Sequence, residues 1–284
     1  MMRLLGRVLL GMLAALVLFV AIAFVRTATI DVRGLAKRDP GRSAIMRQRE
    51  REARAKGRVP REAHRAVPLD RIAPTLRAAV LVAEDDKFFS HDGFDWAGIK
   101  AAARHDLRTH RFSSGGSTIT QQLAKNLWLG TARTPWRKFE EMILAARLEQ
   151  SLSKRRILEL YLNTIEWGDG VYGIEAAARR WYGVGAGALS PSQSIRLAAV
   201  IINPRRFSPT DPNKRIQKRI RVIASRLRRR GAIDEAAYRT TLGLPPESPA
   251  PPVDPSLLGP GDTAPDPPEA PPEATPDTGA ALHL

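Results

Sequence analysis

Residues 8–25, VLLGMLAALVLFVAIAFV, run for eighteen positions without a charge or a proline, and Arg3, Arg7 and Arg26 flank them. That is about the shortest apolar stretch that crosses a hydrocarbon core as a helix. A core helix of this length would carry a polar face, and this one carries none. A cleaved signal peptide would have a shorter apolar region ending in a small-x-small site. Here Phe24, Val25 and Arg26 close the run. The preferred reading is an uncleaved membrane anchor. Its orientation is less direct. Arg26, Arg33, Lys37, Arg38 and Arg42 after the span outnumber Arg3 and Arg7 before it. Counted literally, that keeps the bulk of the chain in the cytoplasm.

The remaining charge points to an anionic partner. The chain carries a net charge of +16, which suits nucleic acid, anionic lipid or a phosphorylated substrate. It has no cysteine, which excludes disulfides, cysteine metal sites and thiol nucleophiles. After Leu244 the chain holds 13 of its 22 prolines, several acids and no Lys or Arg. Such a segment buries too little apolar surface to offset its ordering entropy, so a disordered acidic tail is expected over 245–284. The expected organisation is a short segment 1–7, a span 8–25, a basic juxtamembrane linker 26–69, a globular domain 70–244 and the tail. Within the linker, residues 36–66 are dense in Arg, Lys and Glu with little apolar periodicity. They read as a solvated helix or linker near anionic head groups.

The globular part reads as mainly α. Residues 71–82 look like its first helix, and alternating strand patterns are few and short. Residues 139–162 form the clearest helical stretch, with a break near 151–154 where Ser153 can cap a second helix. Ile216, Ile220, Ile223 and Leu227 fall at helical spacing inside a very basic segment. That pattern buries one apolar stripe and shows a basic back, read as a solvated face ahead of any specific phosphate contact.

Three stretches carry candidate chemistry. In VLVAEDDKFFSHDGFDW the acids Glu84, Asp85 and Asp86 sit directly behind an apolar run. A carboxylate against an apolar wall has a raised pKa and suits general acid or base work, and solvated loop acids are the equal alternative. In SSGGSTITQQLAKNLWL, Thr118 and Gln121 are spaced for a capping box. Ser117, Thr120, Gln122, Lys125 and Asn126 add polar groups that suit a ligand rich in hydroxyls and phosphates. In RTPWRKFEEMILAARLEQ, Glu141 lies near Arg137 and Lys138. It either pairs with Glu84 across a cleft, as carboxylates do at an anomeric carbon, or stabilises its own helix terminus.

These stretches resemble the signatures of the family 51 glycosyltransferases. EDDKFFSHDGFD is similar to the first signature, GGSTITQQLAKN to the second and RKFEEMILAARLEQSLSKRRILELYLN to the third. WGDGVYGIEAAARRWYG is similar to the fourth and NPRRFSPTDPNKRIQKR to the fifth. All five come in the family's order over roughly residues 70–230. With no transpeptidase pattern following, the chain resembles the monofunctional, biosynthetic peptidoglycan transglycosylases of that family.

The resemblance implies a lysozyme-like, mainly α domain with a small membrane-proximal lobe, behind one transmembrane helix. It implies an inverting transferase that polymerises lipid II into β-1,4 glycan and releases undecaprenyl diphosphate. Glu84 would be the general base and Glu141 the second glutamate, near the donor diphosphate. Lys125, Arg133 and Arg137 would offset the leaving charge, and Asp85, Phe88, His91, Ser117, Thr118, Gln121, Gln122 and Asn126 would shape the substrate site. No cofactor is obligatory, although Mg2+ or Mn2+ can assist at the diphosphate, through Glu141 if at all. The implied partners are lipid II, the nascent strand and inner-membrane lipids, with cell-wall synthesis or division proteins admitted and no nucleic acid. The implied location is the bacterial inner membrane with the domain in the periplasm, against the literal charge count. A glycan hydrolase and a non-catalytic membrane-tethered binder are the competing classes.

Overall fold

A computed structural model describes residues 2–98, 100, 104, 116–132 and 134–247. The apolar run forms α1 (Met2–Ala28), the one described helix long and apolar enough to cross a membrane. Its leucines, valines and Phe24 face outward almost throughout, as a helix solvated by lipid requires. The expected span of 8–25 is extended at both ends by charged flanks that continue the helix. At its far end α1 is held by α5 (Pro135–Ser151). Phe19 packs edge-on against Trp136 at 4.5 Å between ring centroids and lies 5.6 Å from Phe139. Arg26 pairs with the buried Glu140 at 2.8 Å, and Arg147 donates to the Ile30 carbonyl at 2.9 Å.

The basic segment is helical in part, as α2 (Ala44–Ala55), but it is not merely solvated. Ile45 and Met46 bury against Tyr172, and Arg49 pairs with the buried Glu166 at 3.1 Å. Two large apolar residues in a dozen leave no visible periodicity, yet they help fasten the helix. The chain then enters β1 (Ala63–His64), which pairs in parallel with β3 (Val171–Tyr172). β3 is antiparallel to β2 (Glu166–Gly168), so the sheet order is β1-β3-β2.

The other described elements are helices: α3 (Pro74–Glu84), α4 (Ile119–Ala124), α6 (Lys154–Thr164), α7 (Ile174–Tyr182), α8 (Pro191–Val200), α9 (Lys214–Arg229) and α10 (Glu235–Leu242). The mainly helical architecture is as expected. α3 starts three residues later than expected, because Pro74 opens it and a 3-10 turn at Leu69–Arg71 precedes it. The break after residue 151 is real, and the Ser153 hydroxyl accepts from the Arg156 amide to start α6. The isoleucine stripe of α9 is buried as the spacing predicted. α3 packs on α8 and α9, while α4 lies against α5 and α6, so the end of α3 and the start of α4 meet over one core. Trp167, Tyr161, Leu76, Leu123 and Leu144 fill that core and are fully buried.

Trp167 of β2 is fully buried in the main apolar cluster, among side chains of the helices. Trp167→Ala should cost about 3–5 kcal/mol of stability, read as a lowered urea midpoint of the full chain in detergent.

Candidate active site

The three consecutive acids point in three directions. Glu84 is the last residue of α3, and burial raises its pKa; the nearby Arg219 and Lys125 charges and the Gln122 hydrogen bond only partly counter this. Its Oε1 accepts from the Arg219 guanidinium of α9 and its Oε2 accepts from Gln122 Nε2 at 3.0 Å. Asp85 turns inward. It accepts from the Ile119 amide at 2.9 Å and from His91 Nε2 at 3.0 Å. The Gly93 amide donates to His91 Nδ1 at 3.2 Å, which assigns the ring proton to Nε2. Asp86 turns outward and takes a two-pronged contact from Arg230 at 2.5 and 2.6 Å. So Asp86 answers to the solvated reading of the cluster and Glu84 to the reading of a carboxyl with raised pKa.

α4 is fixed to this turn by its cap. Thr118 and Gln121 form the expected capping box, and the Thr118 hydroxyl donates to the Gly93 carbonyl at 2.7 Å. Gly93 has φ +89° and an added Cβ would lie 3.0 Å from Glu149 Cγ, so only glycine serves there. Thr118, Thr120 and Gln121 are buried and have structural partners, with Thr120 donating to Glu149. Their polarity, read from sequence as ligand-directed, is mostly consumed by the fold. Phe88 is likewise a core ring, with the Lys154 ammonium 4.5 Å over its face.

Gln122 faces the reaction side. Its Oε1 accepts from the Tyr161 hydroxyl at 3.1 Å, which leaves its amide nitrogen to donate to Glu84. After Ala124 the helix widens into a π turn, Lys125–Leu129, closed by a 2.9 Å bond from the Gly130 amide to the Lys125 carbonyl. Such turns re-aim side chains at functional sites. Burial lowers the Lys125 pKa, while the charges of Glu141 and Glu84 oppose that shift. One ammonium therefore feels both glutamates. Among the described residues no hydrogen bond or ion pair reaches it directly. Asn126 bonds back to the Gln122 carbonyl at 2.7 Å.

Glu141 is buried on α5. Arg137 holds one of its oxygens at 2.6 Å, and Lys138 holds the other while also donating to the Ser117 hydroxyl at 3.2 Å. Its direct partners are thus on its own helix, yet Lys138 ties it to the start of α4. Arg133 lies outside the described residues. Two cavities flank the Glu84–Gln122 pair. One of about 230 Å3 is lined by Glu84, Lys87, Ser117 and Arg226; the other, of about 320 Å3, by Gln122, Lys125, Asn126 and Tyr161. Among the described residues no group of three or more His, Asp or Glu is arranged to hold a metal.

Sequence reasoning missed Arg219 and the role of Tyr161, and named Lys138 without assigning it a part. The signal for Arg219 is present. It lies three residues after Ile216 and four before Ile223, at the edge of the buried stripe, where a charge needs a partner. Arg226 and Arg230 continue the same edge, and Arg226 donates to the Val82 carbonyl at 3.3 Å.

A largely buried glutamate that meets an arginine, with a cavity on either side of the Glu84–Gln122 pair and a lysine that feels both Glu84 and Glu141, suits transfer between two bound sugars at an anomeric carbon. A sequence model of a family described as Transglycosylase matches residues 50–228, and the chain belongs to that family of glycosyl-transferring enzymes. It is 43% identical over 218 residues to a protein of Methylobacillus flagellatus named biosynthetic peptidoglycan transglycosylase, covering 77% of this chain and 94% of that one. Proteins of the same name from Aromatoleum aromaticum (42%, covering 79% of this chain and 94% of that one) and Nitrosomonas eutropha (45%, covering 66% and 77%) are similar.

Two outcomes are expected at this site. Arg219→Gln removes the cation that opposes the rise in the Glu84 pKa, so the acid limb of kcat/KM against pH should move to higher pH. Tyr161→Phe frees the Gln122 amide to flip and should lower kcat about tenfold with KM nearly unchanged, since one such hydrogen bond is worth about 1.5 kcal/mol.

Proposed function

We propose that this enzyme polymerises lipid II into β-1,4-linked glycan strands with release of undecaprenyl diphosphate, for cell-wall synthesis. The observation that carries the reading is Glu84: a carboxyl with raised pKa, held by Arg219 and Gln122 between two cavities. A general base works best with a pKa drawn toward the working pH. Glu84 would take the proton from the 4-hydroxyl of the incoming GlcNAc as that oxygen attacks the anomeric carbon of the growing strand. Inversion follows from a single displacement. The leaving diphosphate is met by Lys125, whose ammonium has no direct partner among the described residues, and by the Arg137–Lys138 pair around Glu141. Fixed cations aimed at developing charge are commonly the largest catalytic contribution.

A divalent ion at Glu141 does not fit this donor set. Both of its oxygens are already engaged by cations, and a metal there would have to displace them. The cationic side chains are therefore assigned the charge-offsetting role. We place the domain on the periplasmic face of the inner membrane, because lipid II polymerisation belongs there and long domains translocate largely regardless of flanking charge. The hydrolase alternative would make little use of the anchor or of this cation cluster.

The test is polymerisation of purified lipid II in detergent by the full chain and by Glu84→Gln. Wild type should make glycan, and the variant should retain lipid II binding and lose at least about a thousandfold in rate, the scale of a positioned base together with its electrostatics. Release of sugars from finished glycan by wild type, with no lipid II turnover, would indicate the hydrolase.

A further inference from the structure

A cavity larger than either of the two beside Glu84 lies elsewhere on the domain. It holds about 490 Å3 between the C-terminal half of α2, the segment that follows it and the β2–β3 turn. Five cations line it: Arg49, Lys56, Arg58, Arg61 and Arg205. The opposing acids are already taken. Glu52 is bonded by Arg49 at 2.9 Å, and Asp169 by Arg205 at 3.2 Å. Glu166, at the back, is paired with Arg49. Lys56, Arg58 and Arg61 have no ion-pair partner among the described residues and are exposed. This is a concave surface with three uncompensated cations.

The basin is also built rather than draped. Gly170 has φ +73° and approaches so closely that an added Cβ would lie 2.5 Å from the Arg61 carbonyl. The Gly170 carbonyl accepts from the Ala63 amide at 2.8 Å. Arg61 is therefore held by its backbone at the cavity wall. The basin adjoins the reaction site, because Arg49 and Arg205 line both it and the cavity that contains Gln122, Lys125 and Asn126.

We propose that this basin binds the peptide carboxylates carried by the glycan strand as it leaves the reaction site. The inference rests on the lipid II reading, in which each disaccharide carries a pentapeptide and so at least one terminal carboxylate. Arginine and lysine rimming a concave site suit that chemistry. Adjacency to the Lys125 cavity and concavity favour strand peptides over lipid head groups, which meet a protein as a flat sheet.

The test uses the full chain in detergent and Lys56→Ser/Arg58→Ser/Arg61→Ser, three exposed positions away from the catalytic groups. Fluorescence anisotropy is read with soluble glycan oligomers that carry free-carboxylate peptides and with oligomers stripped of peptide. Wild type should bind the peptide-bearing oligomers about tenfold more tightly, as a few exposed ion pairs allow, and the triple variant should lose that preference. In polymerisation, the variant's KM should rise for peptide-bearing lipid II and stay unchanged for lipid II without peptide. Equal weakening on both ligands, or no change on either, overturns the proposal. So does a variant that loses only its binding to phosphatidylglycerol vesicles, which would make the basin a head-group surface. A wild type that discriminates the oligomers but does not polymerise lipid II would keep the basin and sink the functional reading.

Discussion

The buried carboxylate of Asp85 joins the two halves of the site. A charge out of water is tolerated only with strong hydrogen-bonding partners, and Asp85 finds them in the Ile119 amide and His91. Those partners belong to the start of α4 and to the loop after α3. Through them the end of α3 and the beginning of α4 have one relative position. Glu84 therefore stands opposite Gln122, Tyr161 keeps Gln122 in one orientation, and the π turn begins at Lys125, whose ammonium feels the charge of both glutamates. A polar contact one residue away from the candidate base thus determines what the base faces.

Electrostatics complete the arrangement. Removing Glu84 from water pushes its pKa up, and Arg219 limits the rise. The line of arginines on α9 is the source of that balance, since Arg219, Arg226 and Arg230 all meet the acid turn at the end of α3. The same helix buries its isoleucines on α3 and α8, so packing energy holds the charges in place.

Features set by local spacing were legible in the sequence. The capping box of Thr118 and Gln121, the Ser153 cap, the α9 stripe and the shortness of the strands are all written within a few residues of one another. The five motifs led to the right family. What stayed hidden depends on contacts between residues distant in sequence, 39 positions apart for Tyr161 and Gln122 and 135 for Arg219 and Glu84. Arg219 meets Glu84 from another helix, and nothing in the basic segment around it singles out one arginine beyond its place at the stripe's edge. The polar density of residues 117–126 suggested ligand contacts, but Thr118, Thr120 and Gln121 spend their hydrogen bonds inside the fold. α2 looked solvated because Ile45 and Met46 are its only large apolar residues, too few to form a pattern.

The aromatic clasp between Phe19 and α5 has a consequence for how substrate is found. Phe19 lies nine residues before Ala28, about 14 Å along the helix, so Trp136 and Phe139 reach the depth of the apolar span itself. α5, which carries Glu141, is thereby set at a constant height relative to the bilayer. A substrate on a lipid tail then meets the cleft by sliding within the membrane plane, at a fixed elevation and without leaving its leaflet. The encounter becomes a two-dimensional search, governed by surface density and lateral diffusion rather than by bulk concentration.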